Sequence, residues 1–267
     1  MKKVLIGGFL MAIAVVTAFA TSSEKSEKKD VSERYKVIHV KGKIIFKKTG
    51  TDMKRGDYYI AGTLLDFRTK DSRAAVIHKD KGRYVLSGSS KGQVKVLPAA
   101  NNISSRGGAL INIIDLKNYF DGRICILDET KFQIGKESFP MNNSKFFYLS
   151  FEHNNEKINK RLSFENDFLT LSKKEIFKVD GEPIPVEEKE MTLYYKEDGK
   201  SKKISKFTPI FPEMVDLKDE ISVLLNEIEN ESVGKKQDEV AAHLNEFYGK
   251  IGAMDVNMWL ADEFGIK

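Results

Sequence analysis

The chain has 267 residues, with 44 Lys and Arg against 39 Asp and Glu, one Cys and one Trp; 41% are hydrophobic and 31% charged. This composition excludes a chain disordered throughout, a polytopic membrane protein and a disulfide-stapled scaffold, and it suffices for one large or two average domains. The formal net charge of +5 is unevenly distributed along the chain.

Met1-Lys2-Lys3 supplies a positive start, Val4 to Val16 is an apolar run, and Ala18-Phe19-Ala20 has the small-x-small pattern that signal peptidase accepts. Residues 1–20 therefore read as a signal peptide cleaved after Ala20, which makes this an exported protein, periplasmic or associated with the bacterial cell surface. A retained signal anchor is the alternative. Val4 to Ala20 spans 17 residues, the short end of the ~17–25 that a membrane-crossing helix needs. No cysteine adjoins the cleavage point, and no later stretch is long and apolar enough to span a bilayer, so no transmembrane span is expected in the mature chain. Residues 21–34 read as a charged linker. Four acids and five bases fall between Glu24 and Lys36, too polar a stretch to offset the entropy of ordering it.

From Tyr35 the pattern changes to short apolar runs punctuated by glycine, the mark of consecutive strands. Strands are predicted at Tyr35–Val40, Lys43–Phe46, Tyr58–Ile60, Leu64–Thr69, Ala74–His78, Arg83–Leu86 and Val94–Leu97. The runs Ala74-Ala75-Val76-Ile77 and Tyr84-Val85-Leu86 are nearly unbroken, as expected where both faces of a sheet are covered. The Pro, Asn, Ser and Gly residues of Pro98–Gly108 mark a break, and residues 99–211 read as a second β-rich region. Its clearest strand runs from Lys145 to Phe151, with Phe147, Leu149 and Phe151 on one core-facing side by the two-residue period. Asp198-Gly199 between Met191–Lys196 and Lys202–Ser205 predicts a hairpin, and Asp121-Gly122 and Asp180-Gly181 predict turns.

Residues 212–267 turn helical. Met214, Leu217, Ile221, Leu224 and Ile228 recur at three- and four-residue steps behind Pro212, a second helix is predicted over Gln237–Tyr248, and Asp255 is placed as the cap of a third carrying Val256, Trp259, Leu260 and Phe264. The fold class is therefore mainly β with a C-terminal helical segment (α+β): a small antiparallel β sandwich or solenoid-like domain, a second β unit, then two or three helices. Pro212 to Lys267 holds 13 acids and 5 bases, a net of −8, so the β body carries the positive charge. Either the two parts attract each other within one molecule, or the basic body meets an anionic glycan or lipid surface.

No self-contained catalytic kit is visible. Gly88-Ser89-Ser90-Lys91-Gly92 fits the G-x-S-x-G string, yet a strand-like run follows it where a nucleophile elbow needs a helix. Ser26-Glu27-Lys28-Lys29 fits S-x-x-K but lies in the linker. Cys125, within Arg123-Ile124-Cys125-Ile126-Leu127, reads as a buried small hydrophobe. The histidines His39, His78, His153 and His243 show no local metal spacing. His39 and His78 both fall in predicted strands of the first unit, where the fold could bring them together. The carboxylates of the acidic tail recur mostly on the faces opposite its apolar stripes, as a solvated helix surface requires. No catalytic, cofactor-binding or metal-ligating residue is assigned, no cofactor is expected, and no nucleic-acid motif is present.

Residues 35–98 resemble the FecR-like β domain of exported bacterial proteins. The likeness is carried by Val40-Lys41-Gly42-Lys43-Ile44, Met53-Lys54-Arg55-Gly56-Asp57, Ile60-Ala61-Gly62-Thr63-Leu64 with Arg68-Thr69-Lys70-Asp71-Ser72-Arg73-Ala74, and the turn and strand Lys81-Gly82-Arg83-Tyr84-Val85-Leu86. The resemblance implies a non-catalytic envelope module used for signal transduction or for display of a binding surface. Expected, then, is an exported, non-enzymatic binding, scaffold or signal-sensing protein whose partner is an envelope protein or an anionic glycan or lipid surface. The alternatives are an envelope hydrolase or metal-dependent enzyme with a site assembled from dispersed residues such as His39 and His78, and a signal-anchored sensor.

Overall fold

A computed structural model of the chain describes residues 33–88, 94–99 and 108–267. The leader, most of the linker, the S-x-x-K string and the serines of the G-x-S-x-G string lie outside those residues. The architecture is mainly β with C-terminal helices. The first unit supplies β1 (Arg34–Lys41), β2 (Ile44–Phe46), β3 (Tyr58–Ile60), β4 (Leu65–Phe67), β5 (Arg73–His78), β6 (Gly82–Gly88) and β7 (Val94–Pro98). Five of these form an antiparallel sheet in the order β3-β1-β5-β6-β7, and β2 pairs with β4 as a second, smaller layer. Val37, Ile44, Leu65, Val76 and Leu86 fill the space between the two layers. The predicted strands stand within a few residues of their expected ends.

The second unit contains α1 (Ile113–Tyr119), β8 (Gly122–Cys125), β9 (Glu129–Gln133), β10 (Phe146–His153), β11 (Glu156–Arg161), β12 (Phe164–Glu165), β13 (Phe168–Ser172), α2 (Lys173–Ile176), β14 (Lys178–Val179), β15 (Glu182–Pro183), β16 (Met191–Glu197) and β17 (Lys200–Ile210). A curled sheet ordered β11-β10-β16-β17-β8 and a three-stranded sheet β12-β13-β9 enclose a core that includes Phe120, Phe147, Leu149, Phe151 and Phe207. Phe147, Leu149 and Phe151 do share the buried face. Between β16 and β17, Asp198 and Gly199 both take positive φ (48° and 80°), the backbone that a two-residue hairpin turn demands. Helix α1 was not anticipated. Asn112 starts it by accepting hydrogen bonds from the backbone N–H of Ile114 and Asp115 at 2.8 and 3.0 Å.

Helices α3 (Met214–Glu227), α4 (Val233–Phe247) and α5 (Ala253–Phe264) close the chain. They dock on the chain's own first sheet: Leu217, Ile221, Leu224, Val240, Leu244, Val256 and Leu260 pack with Ile38, Ala75, Ile77 and Val85. The central strands of that sheet are thus covered on both faces, so Ala74, Ala75, Val76 and Ile77 are each at most 1% exposed. Helix α4 begins at Val233 rather than Gln237 because Ser232 accepts from the Lys235 N–H. Asp255 does not cap α5. Gly252 holds the cap position and Asp255 sits in the first turn, where burial pushes its carboxyl up to about 6.

The helical layer also holds the second unit. After α4, Lys250 donates its N–H to the carbonyl of Arg123 at 2.9 Å and accepts from the N–H of Cys125 at 2.8 Å, a short parallel bridge beside β8. Gly249 makes this approach possible at φ +112°: a Cβ there would lie 2.5 Å from the Arg123 carbonyl oxygen. Cys125 packs into the helical core at 2% exposure, and its burial pushes the thiol pKa well up. Among the described residues no helix is long and apolar enough to cross a membrane.

Candidate functional site

The most distinctive chemistry lies where the first sheet meets the helices. Strand β1 breaks register against β5 between Val37 and His39. Val37 packs into the inter-layer core and Ile38 into the helical core, as alternation requires. Plain alternation would return His39 to the side of Val37. The bulge instead turns it to the helical side, where its ring lies 4.8 Å from Phe247 and 5.6 Å from Tyr248 between centroids.

Glu220 of α3 meets it there. This carboxylate is 2% exposed and lies within the helix's apolar stripe, three residues after Leu217 and four before Leu224. His39 donates Nδ1–H to Glu220 Oε2 at 2.6 Å, and the Tyr248 hydroxyl donates to the same oxygen at 2.9 Å. His243 of α4 donates Nε2–H to Oε1. One buried carboxylate therefore ties β1, α3 and α4 together. Burial alone would raise its pKa, but the hydrogen bonds from His243 and then His39 outweigh that and hold it at about 2.

His243 has no exposed surface. Burial pulls its pKa down, against the opposing pull of Glu220. Its Nδ1 is buried without a hydrogen-bond partner among the described residues. Both observations fit a neutral ring with the proton on Nε2, since a cation would leave a second buried N–H unsatisfied. Tyr248, partly buried, has its phenol pKa raised by burial and then by the adjacent carboxylate, so it acts as a donor.

Further ion pairs extend this polar layer between sheet and helices. Arg83 of β6 sits 3.4 Å from Glu239 of α4, Arg73 of β5 lies 3.6 Å from Glu246, and Arg55 pairs with Asp216 at 3.6 Å. Charge attraction between the basic body and the acidic tail is thus realised within the molecule. Most of the tail's carboxylates are exposed, as read from the stripes, but Glu220 and Glu239, 2% and 8% exposed, depart from that reading.

Above the cluster opens a cleft of about 580 Å³, walled by His39, Met53 and Arg55 of the first unit, Glu188 and Phe211 of the second, and Asp216, Glu220 and Tyr248 of the helical segment. The His39 side chain, 20% exposed, reaches solvent at this cleft.

The fold does not bring His39 and His78 together. His78 lies at the far end of β5, 5.1 Å from the Tyr35 ring, and accepts the Asp80 N–H at 3.0 Å. His153 stands at the β10–β11 turn beside Asn154. Among the described residues no group of three or more His, Cys, Asp or Glu side chains is arranged to hold a metal ion. Glu220, His243 and Tyr248 were missed as site residues. The available signal was a Glu and a His lying inside apolar helical stripes. Comparison with protein-family models, curated proteins and solved structures gives no match.

Proposed function

We propose that this chain is an exported, non-enzymatic envelope protein that works as a binding module, with its ligand received in the cleft between the two β units. The observation that carries this reading is the floor of that cleft. The polar groups of Glu220 and Tyr248, and Nδ1 of His39, are spent on one another, so the cluster fixes the geometry of the walls. The walls themselves mix Arg55, Lys54, Glu188 and Asp216 with Met53, Phe211 and Tyr248, a surface suited to recognising a partner with both polar and apolar features. The leader pattern and the FecR-like resemblance of residues 35–98 point the same way.

One observation favours a second reading. A histidine whose Nδ1–H is held by a buried carboxylate, with its ring at the edge of a cleft, has the arrangement of an oriented general base, with Nε2 left for a substrate proton. Two measurements separate these readings. A photo-cross-linker placed at Lys54, at the cleft, should trap an envelope component in intact cells, whereas one at Lys200 on the β16–β17 turn should not. Equal trapping at both positions overturns the cleft assignment. Labelling of the purified protein by a hydrolase probe, abolished in His39→Ala, would establish the second reading in its place.

A further inference from the structure

A second concavity lies beyond the Arg123–Glu188 pair. It encloses about 430 Å³ and is lined by Lys41, Lys70, Asp71, Ser72, Arg73, Ser87 and Arg123. Four of these side chains are cations and one is a carboxylate. Strand register explains the convergence. Lys41 of β1 is directly opposite Arg73 of β5, which is directly opposite Ser87 of β6, so the three stand in one row across the sheet. The row continues to Lys95 on β7, opposite Ser87. Like charges placed opposite each other on adjacent strands repel, and proteins keep such a pair only where something compensates it. Here a further cation, Arg123, comes in from the second unit, and Lys70 is supplied by the β4–β5 turn.

Internal compensation is partial. Glu188 lies 3.3 Å from Arg123 Nη2 and Glu246 lies 3.6 Å from Arg73 Nη1. Asp71 is then the single carboxylate left among the lining residues for Lys41 and Lys70. Arg123 Nε is buried with no hydrogen-bond partner among the described residues. Burial, and after it the charge of Arg123, lowers the pKa of the Lys41 ammonium, with Glu188 opposing.

We infer that this concavity is a binding site for a phosphate group, borne either by a lipid headgroup or by a free phosphate compound. A phosphate offers several charged oxygens at once and accepts the paired N–H groups of guanidinium, which matches two arginines and two lysines better than a single carboxylate does. Ser87 adds a neutral hydroxyl to the wall. The site gives the proposed binding module a ligand class, but it stands on residues other than those of the His39 cleft and can fail or hold independently of it.

Titration of the mature protein with inorganic pyrophosphate, and co-sedimentation with phosphatidylcholine vesicles with and without phosphatidylglycerol, test the inference. Saturable binding of pyrophosphate identifies a free phosphate compound as the source, and binding only to the phosphatidylglycerol vesicles identifies a headgroup. Either interaction should weaken about tenfold or more in Lys41→Gln and in Arg123→Gln, less in Lys70→Gln on its exposed turn, and not at all in Lys200→Gln. Lys70 is exposed, so Lys70→Gln keeps the test valid should the other two variants misfold. Binding of neither probe overturns the inference. So do an equal loss in Lys200→Gln, or capture of polygalacturonate, a polycarboxylate, without either phosphate probe.

Discussion

Replacing Glu220 by Gln removes the charge that joins β1, α3 and α4 while keeping the side chain's size. The ordinary carboxyl value is 4.5 and the folded protein holds Glu220 at about 2, because the hydrogen bonds from His243 and His39 outweigh burial. That gap corresponds to roughly 3 kcal/mol at ~1.36 kcal/mol per pH unit, within the range expected for breaking a buried pair. A depressed acid stabilises fully above its unfolded value, and its contribution fades as the pH falls from 4.5 towards 2. The variant should therefore be less stable than the wild type by about 3 kcal/mol at neutral pH, with the difference shrinking below pH 4.5 and closing at about pH 2. Burial also lowers the pKa of His243, so acidification through its ordinary value of 6.5 weakens both proteins. The loss below 4.5 belongs to the wild type. Urea unfolding followed by tryptophan fluorescence reads the relevant layer, because Trp259, the single tryptophan, is 8% exposed within the helical core. A variant within about 0.5 kcal/mol of the wild type at neutral pH, or a gap that does not change with acidification, would refute the reasoning.

Two further substitutions examine the helical layer. Burial raises the Asp255 carboxyl to about 6 from its ordinary 3.8, so its ionisation weakens the fold above pH 6 and the effect disappears as the pH falls through 3.8. Asp255→Asn should be about 1 kcal/mol more stable than the wild type at alkaline pH and equal to it in acid, the figure being reduced for partial exposure. A lower melting temperature for the variant at alkaline pH would contradict this. Gly249→Ala places a methyl 2.5 Å from the Arg123 carbonyl oxygen at a φ of +112°, and should cost about 3 kcal/mol or more. Gly234→Ala, in the exposed start of α4 with nothing within 4 Å, should be neutral or stabilising by up to about 1 kcal/mol. Similar thermal shifts for the two alanines would remove the case for a close approach at Gly249.

The strands and helices were legible because their signals are local. Asp198-Gly199 declared its hairpin, Phe147, Leu149 and Phe151 declared their face, and Met214 to Ile228 declared a stripe. The unbroken run Ala74 to Ile77 even announced a sheet covered twice, although nothing in it said by what. The cluster was not legible, for two reasons. A bulge at Ile38 reverses the side on which His39 stands, and no local pattern marks a bulge. Glu220 and His243 come from helices some two hundred residues further on, and their meeting depends on which sheet those helices choose. Their position inside apolar stripes was visible. Only the packing shows that a charged group there is buried and held by partners.

The order in which the chain is made gives the docked helices a further consequence. The face of the first sheet formed by Ile38, Ala75, Ile77 and Val85 is covered by residues from the last fifth of the sequence. A polypeptide emerging N-terminus first, from a ribosome or through a translocation channel, must hold that sheet half-finished until these helices have followed it. Contacts this distant are slow to close, and an uncovered apolar surface attracts other chains in the interval. This protein is therefore expected to depend on a holding chaperone during its biogenesis, and to lose yield steeply when its C-terminus is truncated.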